Sequence, residues 1–141
     1  MITIVSQINI KSNTPGQVGL PKMPVKKAII SKWGLEGDYN RFRKVKKNND
    51  PDMAVLILST DVLDALNIEG WPVNPGDLGE NLTLTNIDYS IMRLGDRLSI
   101  GEVRLEISLI CDPCKNLNNL PYVGKEKGIL FIKTLMKRRG W

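Results

Sequence analysis

Residues 102–114 read EVRLEISLICDPC, and this stretch indicates the fold class more clearly than any other. Its apolar residues alternate with charged or hydroxyl residues, which is the period-2 pattern of a β-strand with one buried face. The pattern predicts a strand over residues 102–110 that runs directly into a Cys-Asp-Pro-Cys turn at residues 111–114. Such a strand would deliver two thiols, Cys111 and Cys114, to one end of a sheet.

Short strands and frequent turns continue on both sides of this stretch. Further strands are predicted over residues 2–10, 25–33, 53–58, 81–84 and 97–100, with turns of Gly, Pro and Asp between them and a long polar loop over residues 37–52. A period-2 pattern places Ile2, Ile4, Ile8 and Ile10 on one buried face of the first of these strands, and the continuous apolar run at residues 53–58 predicts a strand buried on both faces. One helix should follow a cap at Ser59 or Thr60 and end at Gly70, and another should run from residue 127 or 128 to Arg139. Many short strands with few helices make the chain mainly β and favour a closed or nearly closed β-barrel.

A single domain is predicted for residues 1–141. The composition is 42% hydrophobic and 25% charged, which is ordinary for a soluble globular protein, and no linker or repeat interrupts it. The first residues do not resemble a targeting segment, and no apolar run approaches the roughly 18 residues that a membrane span requires. We therefore expect a cytoplasmic protein without a membrane partner.

The sequence contains no histidine and two cysteines, and this restricts the chemistry. Ser–His and Cys–His nucleophile pairs, a histidine base and histidine-ligated zinc are all excluded. Two thiols are also too few for a four-thiolate zinc site within one chain. The chemistry must therefore depend on thiol, carboxylate, lysine, tyrosine or a bound cofactor.

Cys114 is the strongest candidate for a reactive residue. Lys115 follows it directly, and positive charge stabilises a thiolate relative to a thiol. A thiolate is also a soft ligand for a redox-active transition metal. Two alternatives remain open, because the thiols are equally compatible with small buried hydrophobes or with a dithiol pair in which Cys111 is the resolving partner.

The run RFRKVKK at residues 41–47 is the second candidate site. Its five cations are candidate contacts for a phosphate group, namely Arg41, Arg43, Lys44, Lys46 and Lys47. Such runs are also typical of solvated loops. The net charge of +5 favours an anionic partner, but nucleic acid is not favoured, because 6% of the chain is aromatic and Phe42 alone lies within the run.

Glycine-containing turns form a third group of features. The segment PGDLGENL at residues 75–82 is equally consistent with an anion-binding nest of backbone amides and with a tight corner between strands. The carboxylates in these turns are Asp38, Asp77, Glu80 and Asp96. We expect them to accept hydrogen bonds from local backbone N–H groups rather than to act as catalytic acids or bases.

Taken together, these segments resemble the MOSC family, which is named for the C-terminal domain of molybdenum cofactor sulfurase. The matching blocks, in order, are GLPKMPV (19–25), GLEGD (34–38), PGDLGENL (75–82), LGDRLSIG (94–101), SLICDPCKNL (108–117) and the tail from YVGKEKG (122–128) to RRGW (138–141). The resemblance extends over nearly the whole chain. It implies a MOSC-like β-barrel with a few short helices.

The resemblance also implies a function for Cys114. In some family members the cysteine at this position is thought to carry sulfur as a persulfide, and in others, including relatives of the amidoxime-reducing enzymes, it ligates the molybdenum of the molybdopterin cofactor. The latter reduce N-hydroxylated compounds. For this chain the implied cofactor is therefore the molybdenum cofactor, bound permanently or transiently, with the cations of residues 41–47 on its phosphate.

The implied partners are an anionic pterin and an electron-donor or sulfur-donor protein. The alternative function is a non-catalytic sulfur-relay or binding module that acts with a partner protein or as a homo-oligomer.

Three features depart from the family pattern. Tyr39 and Asn40 follow Gly-Asp where many relatives have a histidine, and Cys111 adds a second thiol. The sequence ends at Trp141, where relatives usually continue into another strand. We therefore expect that the barrel lacks its final strand, is completed by a partner chain or closes in a different way.

Overall fold

The computed structural model describes residues 2–141. The strands are β1 Ile4–Ile10, β2 Met23–Val25, β3 Ile30–Ser31, β4 Gly34–Leu35, β5 Ile57–Ser59, β6 Leu82–Thr85, β7 Arg97–Ile100 and β8 Val103–Glu106. The helices are α1 Arg41–Lys46, α2 Thr60–Ile68 and α3 Gly124–Leu135, with 3₁₀ turns at Pro51–Met53 and Lys115–Asn119. The prediction of a mainly β chain with a few short helices is confirmed.

The strands form one four-stranded sheet and two hairpins. The order of the large sheet is β2-β1-β6-β5, in which β1 is antiparallel to β2 and β6 whereas β5 is parallel to β6. The hairpins are β3–β4 and β7–β8. Within residues 2–141 all three sheets are open, so the predicted closed barrel is not observed. The separate two-residue and four-residue hairpins are too short to continue the hydrogen-bonded ring that closure requires.

Two buried clusters lie on opposite faces of β5. Ile57 packs with Leu82 and Leu84 in a cluster that the hairpin β7–β8 covers, whereas the next residue, Leu58, packs in a cluster that includes Phe131 of α3. Successive side chains of a strand point to opposite faces. The predicted burial of this apolar run on both faces is therefore confirmed for its last two residues.

A β-bulge changes the buried face of β1. The prediction placed Ile2, Ile4, Ile8 and Ile10 on one buried face, but Ile2 and Ile4 are exposed. The pairing of β1 with β6 shifts register between Val5 and Gln7. The bulge places Val5 and Ile8, which are three residues apart, on the same face, so Val5 packs against the core together with Ile8.

Three other predicted strands are shorter than expected. The strand over residues 25–33 is divided between β2 and β3, and the strand over residues 53–58 begins with a 3₁₀ turn, so that its paired part is β5. The strand over residues 102–110 ends at Glu106, opposite the first residue of its partner β7. Beyond this pair, Ile107 N donates a hydrogen bond to the Asp96 carbonyl at 2.8 Å, and Asp96 already belongs to the turn before β7.

The helices differ from the predictions in position more than in number. Ser59 caps α2 as expected, since its hydroxyl accepts a hydrogen bond from Asp61 N at 3.1 Å. Helix α3 starts and ends about four residues early, because the backbone leaves the helical region at Met136 and Lys137 has a positive φ of 62°. The predicted loop over residues 37–52 contains α1, which Asn40 caps. No helix among residues 2–141 is long and apolar enough to cross a membrane.

Candidate functional site

The Cys114 thiol lies between two anchored points of the chain. Upstream, Ile107 is buried against the sheet, and downstream Leu117 is fully buried against α3. The backbone of Cys114 is extended, with φ −135° and ψ 167°, and its carbonyl accepts a hydrogen bond from Leu117 N at 3.1 Å. Because Leu117 fixes the following 3₁₀ turn in the core, the partly exposed Cys114 side chain has a defined position.

Arg139 is the cation that contacts this thiol. Its Nη1 lies 3.6 Å from Cys114 Sγ and donates a hydrogen bond to the Asp112 carbonyl at 3.0 Å. Its Nε and Nη2 donate to the Leu78 carbonyl at 3.1 Å and 3.0 Å. The side chain is buried, so its charge acts on the sulfur with little screening by water. A guanidinium in this position stabilises a negative charge on Cys114 Sγ.

The C-terminal residues hold Arg139 in place. Trp141 exchanges two backbone hydrogen bonds with Ile57, at 2.9 Å and 3.1 Å, on the outer edge of β5. The Gly140 carbonyl accepts a hydrogen bond from Cys111 N at 2.9 Å. The segment Arg139–Trp141 therefore connects the sheet edge, the cysteine segment and Leu78.

The position of Arg139 is a functional feature that the sequence reasoning missed. That reasoning placed Arg139 at the end of a helix and assigned Lys115 as the cation beside Cys114. Lys115 is exposed, and among residues 2–141 Arg139 supplies the hydrogen bond that reaches Cys114 Sγ from a cation. The signal that was available is the RRGW tail, which was one block of the family resemblance.

Cys111 has a different environment from Cys114. Burial raises the pKa of the Cys111 thiol, Arg139 opposes this, and the neighbouring Cys114 and Asp112 add to the rise. Its thiol therefore stays protonated at neutral pH. The backbone of residues 107–114 contains no turn, so the predicted Cys-Asp-Pro-Cys turn is not observed.

Both cysteines are free and partly exposed in the structure. The alternative of a dithiol pair of Cys111 and Cys114 remains open.

The basic run forms part of a polar pocket of about 250 Å³ between α1 and the hairpin β3–β4. The cations Arg43 and Lys44 and the carboxylate residues Glu36 and Asp38 line this pocket, together with Trp33 and others. The structure does not place Arg41, Lys46 or Lys47 in its lining. It also does not place Cys114 there, so the two candidate sites do not share a described cavity.

Arg43 is the buried cation of this pocket. Its Nη2 donates to the Trp33 carbonyl at 2.5 Å, and Nη1 is 3.5 Å from the Asp50 carbonyl. Burial lowers its pKa, and the charges of Asp38 and Asp50 oppose this. Among residues 2–141 its side chain forms no ion pair with a carboxylate within 4.0 Å. The carbonyl acceptors and the nearby charges of Asp38 and Asp50 therefore compensate part of the Arg43 charge.

The segment at residues 75–82 is a tight corner and not an open nest. The Gly76 amide donates to Glu80 Oε1 at 2.6 Å, and the Gly79 amide donates to the Gly76 carbonyl at 3.2 Å. Gly76 has φ +92°, and a Cβ there would lie 2.3 Å from the Lys22 carbonyl oxygen. These amides are used within the corner, so they are not available to an anion.

The expected hydrogen bonds from local backbone N–H groups are observed for Asp77, Glu80 and Asp96, whereas Asp38 has partners distant in sequence. Asp77 Oδ2 accepts from Asn74 N at 3.0 Å, and Asp96 Oδ2 accepts from Arg93 N at 2.7 Å. Asp38 Oδ1 accepts from Lys11 N at 2.8 Å. Its Oδ2 lies 2.5 Å from Lys22 Nζ and forms a buried ion pair. These carboxylates thus have structural partners.

No group of three or more His, Cys, Asp or Glu side chains within residues 2–141 is arranged to hold a metal ion. A metal at Cys114 would therefore need most of its ligands from a cofactor or a partner.

The family model for the MOSC domain matches residues 44–141, which include Cys114 and Arg139. The chain belongs to the MOSC domain family. The prediction that rested on the sequence blocks is thus confirmed. No curated protein matches this MOSC sequence significantly.

Solved structures of similar fold support the architecture of this MOSC domain. The YUAD protein from Bacillus subtilis has a TM-score of 0.76 and 15% identity, covering 99% of this chain and 85% of that chain. YiiM from Geobacillus stearothermophilus has a TM-score of 0.66 and 21% identity, with 95% of this chain and 62% of that chain covered. YiiM from Escherichia coli has a TM-score of 0.61 and 20% identity, with 98% and 60% covered. This MOSC chain therefore spans less than two thirds of either YiiM chain, and these similarities establish the fold alone.

Proposed function

We propose that this MOSC domain is a sulfur carrier that works through Cys114. The observation that supports the proposal is the contact of the buried Arg139 guanidinium with the partly exposed Cys114 sulfur, at 3.6 Å. A sulfur carrier needs an accessible nucleophilic sulfur and a charge that stabilises its anionic form. It does not need an enclosed cavity, and neither described pocket includes Cys114.

The transfer consists of two exchange steps. The Cys114 thiolate attacks the terminal sulfur of a persulfide on a donor protein, which forms a Cys114 persulfide and releases the donor as a thiolate that takes up a proton. An acceptor nucleophile then attacks the terminal sulfur of the Cys114 persulfide, and Cys114 leaves as a thiolate. Arg139 stabilises the negative charge on Cys114 Sγ at the start of the first step and at the end of the second.

Loading with a persulfide donor tests this proposal. The protein is incubated with a persulfide-bearing protein or a low-molecular-weight persulfide, alkylated and mapped by peptide mass spectrometry. We expect the mass of one extra sulfur atom on Cys114 in the wild type and in Cys111→Ser, and none in Cys114→Ser. Arg139→Gln should lower the loading rate by about ten-fold or more, the effect of losing a charge-assisted hydrogen bond. Loading of Cys111 alone, or of neither cysteine, would reject the carrier function.

Binding of the molybdenum cofactor is the second candidate, and the pocket at Arg43 favours it. A phosphate of an anionic pterin would contact Arg43 and Lys44, the two cations in a pocket that Glu36 and Asp38 also line. The Cys114 thiolate is a suitable ligand for molybdenum. When bound, the cofactor would supply the redox chemistry for reduction of N-hydroxylated compounds, while the protein residues bind and orient it. The pocket of about 250 Å³ fits the phosphate end of such a cofactor rather than the whole.

Metal and pterin analysis separates the two candidates. The protein is isolated from a host that makes the cofactor, and molybdenum and pterin are measured in the wild type, Cys114→Ser and Arg43→Gln. Arg97→Gln is the matched control, because Arg97 is an exposed arginine of β7. Cofactor binding requires stoichiometric metal and pterin that Arg43→Gln loses and Arg97→Gln keeps. A persulfide on Cys114 in protein that contains neither molybdenum nor pterin would support the sulfur-carrier function and reject cofactor binding.

A further inference from the structure

The positive charge of this protein is concentrated in one part of the chain. Residues 26–47 contain eight of the twenty Lys and Arg side chains but two of the fifteen acidic ones, a local excess of six. The remaining residues contain twelve cations and thirteen acids, so they are close to neutral. The net charge of +5 therefore originates entirely in the hairpin β3–β4, helix α1 and the residues that flank them.

Large apolar side chains are exposed in the same region. Ile29 and Trp33 are exposed by 65% and 49% in and beside the hairpin, and Phe42 and Val45 by 50% and 60% on α1. Phe42 and Val45 are three residues apart and so share one face of the helix. The hydrogen bond from Arg43 Nη2 to the Trp33 carbonyl, 2.5 Å long, holds α1 against the hairpin.

Two of the lysines stand directly over the exposed rings. Lys32 Nζ lies 4.9 Å from the centre of the Trp33 ring, and Lys47 Nζ lies 5.7 Å from the centre of the Phe42 ring. The segment of residues 26–47 thus carries both exposed cations and exposed apolar side chains on its surface. We call this surface the basic face; its exposed members are Lys26, Lys27, Ile29, Lys32, Trp33, Arg41, Phe42, Lys44, Val45, Lys46 and Lys47.

We propose that the basic face docks on the surface of an anionic lipid bilayer. Lysines and arginines are attracted to acidic headgroups, and exposed Trp, Phe and aliphatic side chains enter the boundary between headgroups and acyl chains. Single-stranded nucleic acid fits less well, because Ile29 and Val45 cannot stack on bases and each ring already has an ammonium beside it. The expectation of no membrane partner considered spanning segments only, whereas surface docking requires none.

Vesicle sedimentation tests the proposal. The probes are vesicles of phosphatidylcholine alone and of phosphatidylcholine with about one third phosphatidylserine, at low salt and at physiological salt. We expect binding only to the anionic vesicles, weakened by salt because exposed charges are screened. Lys32→Gln with Lys47→Gln should reduce the partition coefficient by about 30-fold, since each lysine near the surface contributes about 1 kcal/mol. The matched control, Lys125→Gln with Lys133→Gln, removes two exposed lysines of α3 and should change it by less than about three-fold.

A second pair of variants tests the apolar part of the face. Val45→Ser should weaken vesicle binding several-fold, whereas Ile129→Ser, at an exposed apolar position of α3, should not. Three results would overturn the proposal: no binding to anionic vesicles, equal losses in the face and control variants, or tight binding of a single-stranded oligonucleotide without vesicle binding. The sulfur-carrier function at Cys114 does not depend on this outcome.

Discussion

At the scale of single residues, the Arg139 guanidinium forms a hydrogen bond with Cys114 Sγ, whereas burial raises the pKa of the Cys111 thiol. The Arg139 side chain donates hydrogen bonds to the carbonyl oxygens of Leu78 and Asp112. Its Nη1, which donates to Asp112, also contacts Cys114 Sγ. The carbonyls fix its orientation without neutralising its charge, so the charge remains available to the sulfur. A carboxylate partner in the same position would have offset much of that charge.

Glu80 provides a residue-scale test of the corner that presents Leu78 to Arg139. The side chain is fully buried, Oε1 accepts hydrogen bonds from Gly76 N and Thr83 Oγ1, and Oε2 has no partner. Burial raises the pKa of Glu80 above 4.5, hydrogen bonds oppose this, and Asp77 adds to the rise. The contribution of Glu80 to stability is therefore fully present below the pKa that its carboxyl group has in the unfolded chain. This contribution is lost as the pH rises through the higher pKa of the same group in the folded protein.

We expect Glu80→Gln to reduce the pH dependence of stability. The amide keeps an acceptor for Gly76 N and Thr83 Oγ1 but never ionises, so its unfolding free energy should fall less than that of the wild type between about pH 5 and about pH 8. Urea unfolding at several pH values measures this. Glu80→Ala is the control, since it leaves the Gly76 amide without its acceptor and should lower stability by about 1–3 kcal/mol. A parallel pH profile for the wild type and Glu80→Gln would contradict the assignment.

At the scale of elements, the segment Arg139–Trp141 acts as a brace between parts of the chain that are distant in sequence. It adds backbone pairing to the edge of β5 and holds both the cysteine segment and Leu78. Gly140 allows this close approach, because it has φ +118° and a Cβ there would lie 2.1 Å from the Ile57 carbonyl oxygen. A side chain at this position must separate the segment from the sheet.

Gly140→Ala should therefore destabilise the protein by at least about 2 kcal/mol and slow persulfide loading of Cys114, because Arg139 moves with the segment. The matched control is Gly95→Ala, which has φ +89° but no neighbouring atom within 4 Å of its Cβ position. Gly95→Ala introduces backbone strain without a steric clash, so it should lower stability by about 1 kcal/mol and leave the persulfide loading of Cys114 unchanged. Urea unfolding and the loading assay measure the two effects. Equal losses in both variants would show that contact with Ile57 is not the cause.

Some features of the strands and helices follow from short sequence patterns, whereas others depend on contacts between residues distant in sequence. The cap at Ser59, the burial of Leu58 and the use of turn carboxylates follow from short-range rules, and the structure confirms them. The bulge in β1 and the early end of β8 depend on strands distant in sequence, so alternation alone could not reveal them. The contact between Arg139 and Cys114 joins residues 25 positions apart and is equally invisible to local patterns.

At the scale of the whole molecule, the proposed functions lie in two separate regions. The thiol site is built from Leu78, the cysteine segment and the C-terminal residues, whereas the basic face and the Arg43 pocket belong to residues 26–50. The ordered sequence blocks were sufficient to identify the MOSC family. They were not sufficient to show an open set of sheets, because closure depends on how separate hairpins pair.

The relative alkylation rates of the two cysteines test the central claim most directly. The native protein is treated with a limiting amount of iodoacetamide at neutral pH, and modified peptides are quantified by mass spectrometry. We expect Cys114 to react about ten-fold or more faster than Cys111, which is also partly exposed, because desolvation raises the pKa of the Cys111 thiol, and we expect Arg139→Gln to reduce this difference. Faster reaction of Cys111, or reaction of Cys114 only after unfolding in denaturant, would contradict a functional thiol at Cys114.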